Sequence, residues 1–189
     1  MRSSASASPR TSRTRCYFWP ATRPTGSPGR RWSSTAASPV CNASLECPWR
    51  GSVSESAVDH GNTPFGSLLV VDDEVVRTAE NTTLTDDDIA AHPEFELARW
   101  AASELEPDER ASCTMYTSTE PCPMCASAIV YAGLDRVVYS VSVDSLAAAR
   151  DDGVIEIPCE EVVDRANGST NVEGPVLEDE GLAVHEDYF

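Results

Sequence analysis

The sequence predicts an α/β fold, a three-layer α/β/α sandwich built on a mixed central sheet. Short apolar runs alternate with helix-period segments in the order ββαβαβ from residue 67 to residue 150. Proline and glycine stand at the boundaries between them. At 189 residues the chain is long enough for one domain with a real core and a flanking segment.

Each element has its own signal. Ser67–Val71 is a short apolar run, Asp72-Asp73 a turn, and Glu74–Ala79 the returning second strand. Asn81 to Ala91 is polar and acidic, hence a loop. From His92 onward Leu97, Ala98, Ala101 and Leu105 recur at helical spacing until Pro107 stops the run. Cys113–Ser118 alternates as a strand. Pro121–Tyr131 is a helix opened by two prolines and closed by Ala132-Gly133. Arg136–Val141 is a fourth strand and Asp144–Arg150 a short helix. Past Asp151 the chain is acidic and weakly periodic, with an edge strand at Val154–Ile157 and a last helix at Val176–Tyr188. No internal repeat is present.

Charge divides the chain. All 14 basic residues are arginine, against 31 acids, for a net charge of −17. Residues 1–50 hold eight of the arginines and one acid, Glu46, among many serines and prolines, and show no apolar periodicity. They read as a disordered extension or a stretch translated out of frame, rather than as a transit peptide. Residues 51–189 hold six arginines and 30 acids, the composition of a halophile protein. Such a field disfavours nucleic-acid and membrane-surface partners. The longest uncharged apolar stretch, Pro121 to Leu134, is too short to span a bilayer. The expectation is a cytoplasmic globular domain over residues 51–189.

Two clusters carry chemistry, His92-Pro93-Glu94 and Glu120-Pro121-Cys122-Pro123-Met124-Cys125, each at a helix start. Cys122 and Cys125 are three apart, so in a first helical turn both thiols face one way. The N-terminal end of a helix favours the thiolate form that binds metal. Two cysteines and one histidine make a set suited to zinc. Three protein ligands leave a fourth position for water, as in a catalytic site. Glu94 falls on the same face as Leu97 and Ala101, where a carboxylate is costly without a partner or a function. Competing readings are a redox pair at Cys122 and Cys125, or a structural zinc completed by Cys113, Cys159, His60 or His185. Glu120 also reads simply as a helix-start acid.

The ordered set Pro64-Phe65-Gly66, Asn81, His92-Pro93-Glu94 and Tyr116-Thr117-Ser118-Thr119-Glu120-Pro121-Cys122-Pro123-Met124-Cys125 resembles the cytidine deaminase-like superfamily of zinc deaminases. Within it the resemblance is to the guanine, cytosine and tRNA adenosine deaminase branch, from about Asp59 to Val141. It implies zinc on His92, Cys122 and Cys125, with Glu94 as the catalytic proton carrier. It also implies Asn81 hydrogen-bonded to the substrate ring, Phe65 walling the pocket, and a homodimer. The implied reaction is hydrolytic release of ammonia from a free nucleobase or nucleoside, of guanine or cytosine type. The alternative is a tRNA adenosine deaminase making inosine.

The sequence departs from the family in three places. Pro93 replaces an alanine, which a first helical turn tolerates. Only Ser52–His60 could supply the helix before Pro64. After Arg150 the only base is Arg165, so the basic C-terminal helix of the tRNA-acting relatives has no counterpart.

Overall fold

The computed structural model describes residues 52–150, 153–166 and 169–189. The expectation for residues 1–50 lies outside the described residues.

Five strands form one sheet in the order β2-β1-β3-β4-β5. The strands are β1 (Gly66–Val71), β2 (Glu74–Glu80), β3 (Thr114–Thr119), β4 (Arg136–Val141) and β5 (Asn171–Glu173). β1 pairs antiparallel with both β2 and β3, whereas β3–β4 and β4–β5 are parallel, so the sheet is mixed as expected. Every residue of β1 is buried. Its continuous apolar run follows from helices covering both faces of the sheet, because Leu69 and Val71 serve one face and Leu68 and Val70 the other.

On the first face lie α3 (Pro93–Glu104) and α5 (Pro123–Ala132). Leu97, Ala98 and Ala101 of α3 and Ile129 and Ala132 of α5 join Leu69, Val71, Met115 and Val137 in the main core. On the second face Leu68, Val70, Tyr116 and Val138 meet Val176. There α1 (Ser52–Asp59) and α8 (Glu178–Tyr188) approach the sheet at two glycines. A Cβ on Gly66 would lie 2.7 Å from the Val53 carbonyl carbon, and one on Gly181 would lie 2.4 Å from Ser140 Oγ. No helix among the described residues is long and apolar enough to cross a membrane.

Four details differ from the sequence reading. Residues 154–157 do not form a strand: Ile155 and Ile157 are exposed, and the edge of the sheet is filled by Asn171–Glu173 beside Arg136–Val138. Between them runs α7 (Cys159–Arg165), which buries only Cys159 and Val163, too few positions for a visible period. The loop after β2 contains a single turn, α2 (Thr83–Asp86). Pro107 both ends the α3 region and opens α4 (Pro107–Arg110), whose Glu106 and Glu109 form a reciprocal capping box. The short helix after β4, α6 (Val143–Ala149), and the helix at Ser52 fall where the sequence allowed them.

Candidate active site

The N-termini of α3 and α5 converge on one point. His92 is the N-cap of α3, with Pro93 and Glu94 in its first turn. Cys122 is the N-cap of α5, followed by Pro123, so Cys125 stands at the third helical position. Cys122 therefore lies just outside the helix rather than within its first turn, and its extended backbone still turns the thiol back over Cys125. Both prolines occupy positions whose missing N–H costs no helical hydrogen bond.

His92 Nδ1 lies 3.5 Å from Cys125 Sγ and 3.8 Å from Cys122 Sγ, and the two sulfurs are 3.5 Å apart. A tetrahedral zinc with Zn–S of about 2.3 Å and Zn–N of about 2.0 Å demands edges of roughly 3.8 Å between sulfurs and roughly 3.6 Å from sulfur to nitrogen. The three atoms are spaced to hold that ion. They are also the one cluster of metal-ligating side chains among the described residues. Cys113, Cys159, His60 and His185, the candidates for a fourth ligand, stand outside it. Cys113 is in the core, Cys159 is buried at the start of α7, and His60 pairs with Glu80 at 2.6 Å.

The Cys125 thiol and the His92 ring hydrogen-bond to Cys122 and hold its thiol well below the ordinary thiol range. Cys125 is driven upward by that same hydrogen bond, by burial and by the Glu94 carboxylate. His92 is raised, chiefly by its hydrogen bond to Cys122. The cluster thus favours the thiolate form at Cys122, the form that binds metal.

Glu94 is 5% exposed. Its Oε1 accepts from Ser67 Oγ and from Thr117 Oγ1, each at 2.6 Å, and the two hydroxyl oxygens are 2.9 Å apart. The sequence marked Glu94 and passed over both hydroxyls. Asn81, almost fully buried, accepts through Oδ1 from the Thr83 N–H at 3.1 Å and from Thr83 Oγ1 at 2.7 Å. Its N–H donates to the Phe65 carbonyl at 2.9 Å, tying the end of β2 to the start of β1. The Phe65 ring is tilted against His185 at 5.4 Å and lies under the Arg150 guanidinium, which also covers Phe189. His185 is buried with no hydrogen-bond partner for Nδ1, and its titration is pushed down to about 4 by burial and by Arg150.

Glu120 is not a cap for α5. Its Oε2 accepts from the Val143 N–H at 2.9 Å and its Oε1 from the Cys159 N–H at 2.7 Å, so one carboxylate caps the first turns of α6 and α7. No local signal could reveal this, because the partners lie 23 and 39 residues downstream.

Residues 51–141 match the family described as the cytidine and deoxycytidylate deaminase zinc-binding region. The chain is 29% identical over 141 residues to a probable cytosine deaminase of Schizosaccharomyces pombe, covering 72% of this chain and 86% of that protein. It is 37% identical over 93 residues to a guanine deaminase of Bacillus subtilis, covering 49% of this chain and 60% of that protein. A tRNA-specific adenosine deaminase of Agrobacterium fabrum is 33% identical over 99 residues, 52% of this chain and 64% of that protein. The chain thus spans less than two thirds of the latter two. In fold it is similar to a guanine deaminase from Nitrosomonas europaea, with a TM-score of 0.61 at 19% identity over 75% of this chain and 81% of that one.

Proposed function

We propose, from the match of residues 51–141 to the cytidine and deoxycytidylate deaminase zinc-binding region, that the chain hydrolyses the exocyclic C–N bond of a free nucleobase or nucleoside, of guanine or cytosine type. The observation that carries this is a buried carboxylate, Glu94, beside a histidine and two cysteines spaced for zinc. His92, Cys122 and Cys125 would hold a zinc ion, which would supply Lewis acidity there. Glu94 takes a proton from the attacking water and delivers it to a ring nitrogen. It then protonates the departing amine, so that water adds to the amino-bearing carbon and ammonia leaves. Asn81, its carbonyl held by Thr83, turns its amide NH₂ to the ring, and Phe65 walls the pocket. Burial of Glu94 and Asn81 keeps competing water from both groups.

Charge favours a small substrate over tRNA. α8 carries Glu178, Asp179, Glu180, Glu186 and Asp187 and no arginine, and a polyanion is bound mainly through phosphate contacts to cations. The test is an ammonia-release screen of cytosine, guanine, adenine, their nucleosides and a tRNA, in low and molar KCl. Turnover of cytosine, guanine or one of their nucleosides is expected. Turnover of tRNA alone would replace this reading with inosine formation.

A further inference from the structure

We infer that Ser67 and Thr117 are positioning residues for Glu94, two hydroxyls that together hold one carboxylate oxygen and so fix the orientation in which the group carries the proton. The inference rests on the reading of Glu94 as proton carrier.

Ser67 of β1 and Thr117 of β3 stand directly opposite one another in the antiparallel ladder. Cross-strand neighbours at such a site have Cβ atoms about 5 Å apart, close enough for both side chains to reach one atom above the sheet. Both are all but inaccessible, at 2% and 1% exposure. The face they share is otherwise built from Leu69, Val71, Met115 and Val137. Two hydroxyls in that setting need a buried acceptor, and Glu94 Oε1 accepts from each at 2.6 Å.

Thr117 donates to Oε1, and the single Ser67 proton is shared between Oε1 and Thr117 Oγ1, 2.9 Å away, so the three groups form one closed hydrogen-bonded triangle. The carboxylate plane is then fixed from beneath by two different strands, while its own backbone is fixed by α3. Glu94 also hydrogen-bonds with the Cys125 thiol, one of the zinc-spaced sulfurs, which sets the carboxylate beside the ligand cluster. A carboxylate free to rotate would present either oxygen to the reacting atoms, whereas this one is held in a single orientation.

The test uses the zinc-loaded full chain and whichever of cytosine or guanine it turns over. Ser67→Ala and Thr117→Val should each lower kcat by roughly 10- to 100-fold, the scale of loss from a misplaced catalytic group. KM should stay within about twofold, because the loss lies in the chemical step. Zinc should remain at the parent level, and Thr117→Ser, which keeps the hydroxyl, should restore most of the rate. Combined with Glu94→Gln, neither hydroxyl deletion should cost anything more, since the group they position is gone.

Parent-like kcat in both deletions beside an inactive Glu94→Gln would overturn the positioning role and leave the proposed reaction intact. The same loss with and without Glu94 would also overturn it, showing that the hydroxyls support only the fold. A fully active Glu94→Gln would overturn the reading beneath. Should Thr117→Val fail to fold, Ser67→Ala removes a single oxygen and carries the test. A crystal structure of that variant should show the Glu94 carboxylate turned or split between orientations, and an unmoved carboxylate would count against the inference.

Discussion

Cys122 and Cys125 are two of the three atoms that space the metal site, and replacing either leaves a two-ligand remnant. Cys122→Ala and Cys125→Ala should each drop zinc from about one per chain to near none, and should lower the melting temperature because metal binding is coupled to folding. Metal analysis of purified protein checks this. Glu94→Gln should behave differently: zinc stays and turnover falls by on the order of 10² to 10⁴, since an amide cannot relay protons. His185 predicts a pH effect on stability. Burial, with help from Arg150, lowers its folded titration to about 4 from an ordinary 6.5, so between those values the unfolded chain binds the extra proton. Stability from this group is complete above about pH 6.5 and is lost as pH falls towards 4, to a total of about 3 kcal/mol. His185→Leu should flatten that part of the stability–pH curve relative to the parent, as read by denaturant unfolding at each pH. An unchanged slope would assign the acid sensitivity to other groups. His92, Glu94, Cys122 and Cys125 were legible in the sequence because short spacing brings them to helix starts. Ser67 and Thr117 were not, because their meeting depends on a register between residues 50 apart.

Among the elements, those with a continuous run or a clean stop were legible. Leu97, Ala98 and Ala101 mark α3 through their period, and Gly133 closes α5 in the left-handed conformation with φ of +77°. The β5 edge of the sheet and the helix before it were less so. β5 has three residues and one inward side chain, and α7 buries two, so neither carries a period to read. Gly66 and Gly133 give an element-scale contrast. A methyl at Gly133 meets nothing within 4 Å, so Gly133→Ala should cost only the left-handed backbone strain, about 1 kcal/mol. A methyl at Gly66 meets the backbone of Val53 and Ser54 inside 3 Å, neither of which is a flexible side-chain end. Gly66→Ala should force α1 off β1 and cost about 2 kcal/mol or more. Thermal melts of the two variants should rank in that order, and hydrogen exchange in α1 should rise only in Gly66→Ala. Equal, small losses would mean that α1 yields without cost.

At the scale of the whole molecule, three layers and a mixed sheet followed from the alternation of short strands and helices. The strand order did not, because it is set by which edges remain free after β1 has paired on both sides. Charge is the other whole-molecule property, and it was legible in composition alone. Residues 51–189 carry 30 acids and six arginines, so most carboxylates have no cation to pair with. The pairs that do form include Arg77–Glu96 and Arg165–Glu161, both well exposed, and pairs of that kind contribute about 0–1 kcal/mol each. Repulsion among the rest therefore decides the response to salt. At 0.01 M the Debye length is roughly 30 Å, comparable with a domain of this size, and every carboxylate feels every other. At 1 M it is about 3 Å, and only immediate neighbours interact. Screening removes far more repulsion than attraction, so the melting temperature and the deaminase rate should both rise as KCl is taken from 0.01 M into the molar range. Zinc content should be followed alongside, so that a change in metal loading is not read as a change in repulsion. A melting temperature that is flat or falls across that range at constant zinc would mean that the carboxylates are neutralised in some other way, and with it the expectation of a halophile host would lose its physical basis.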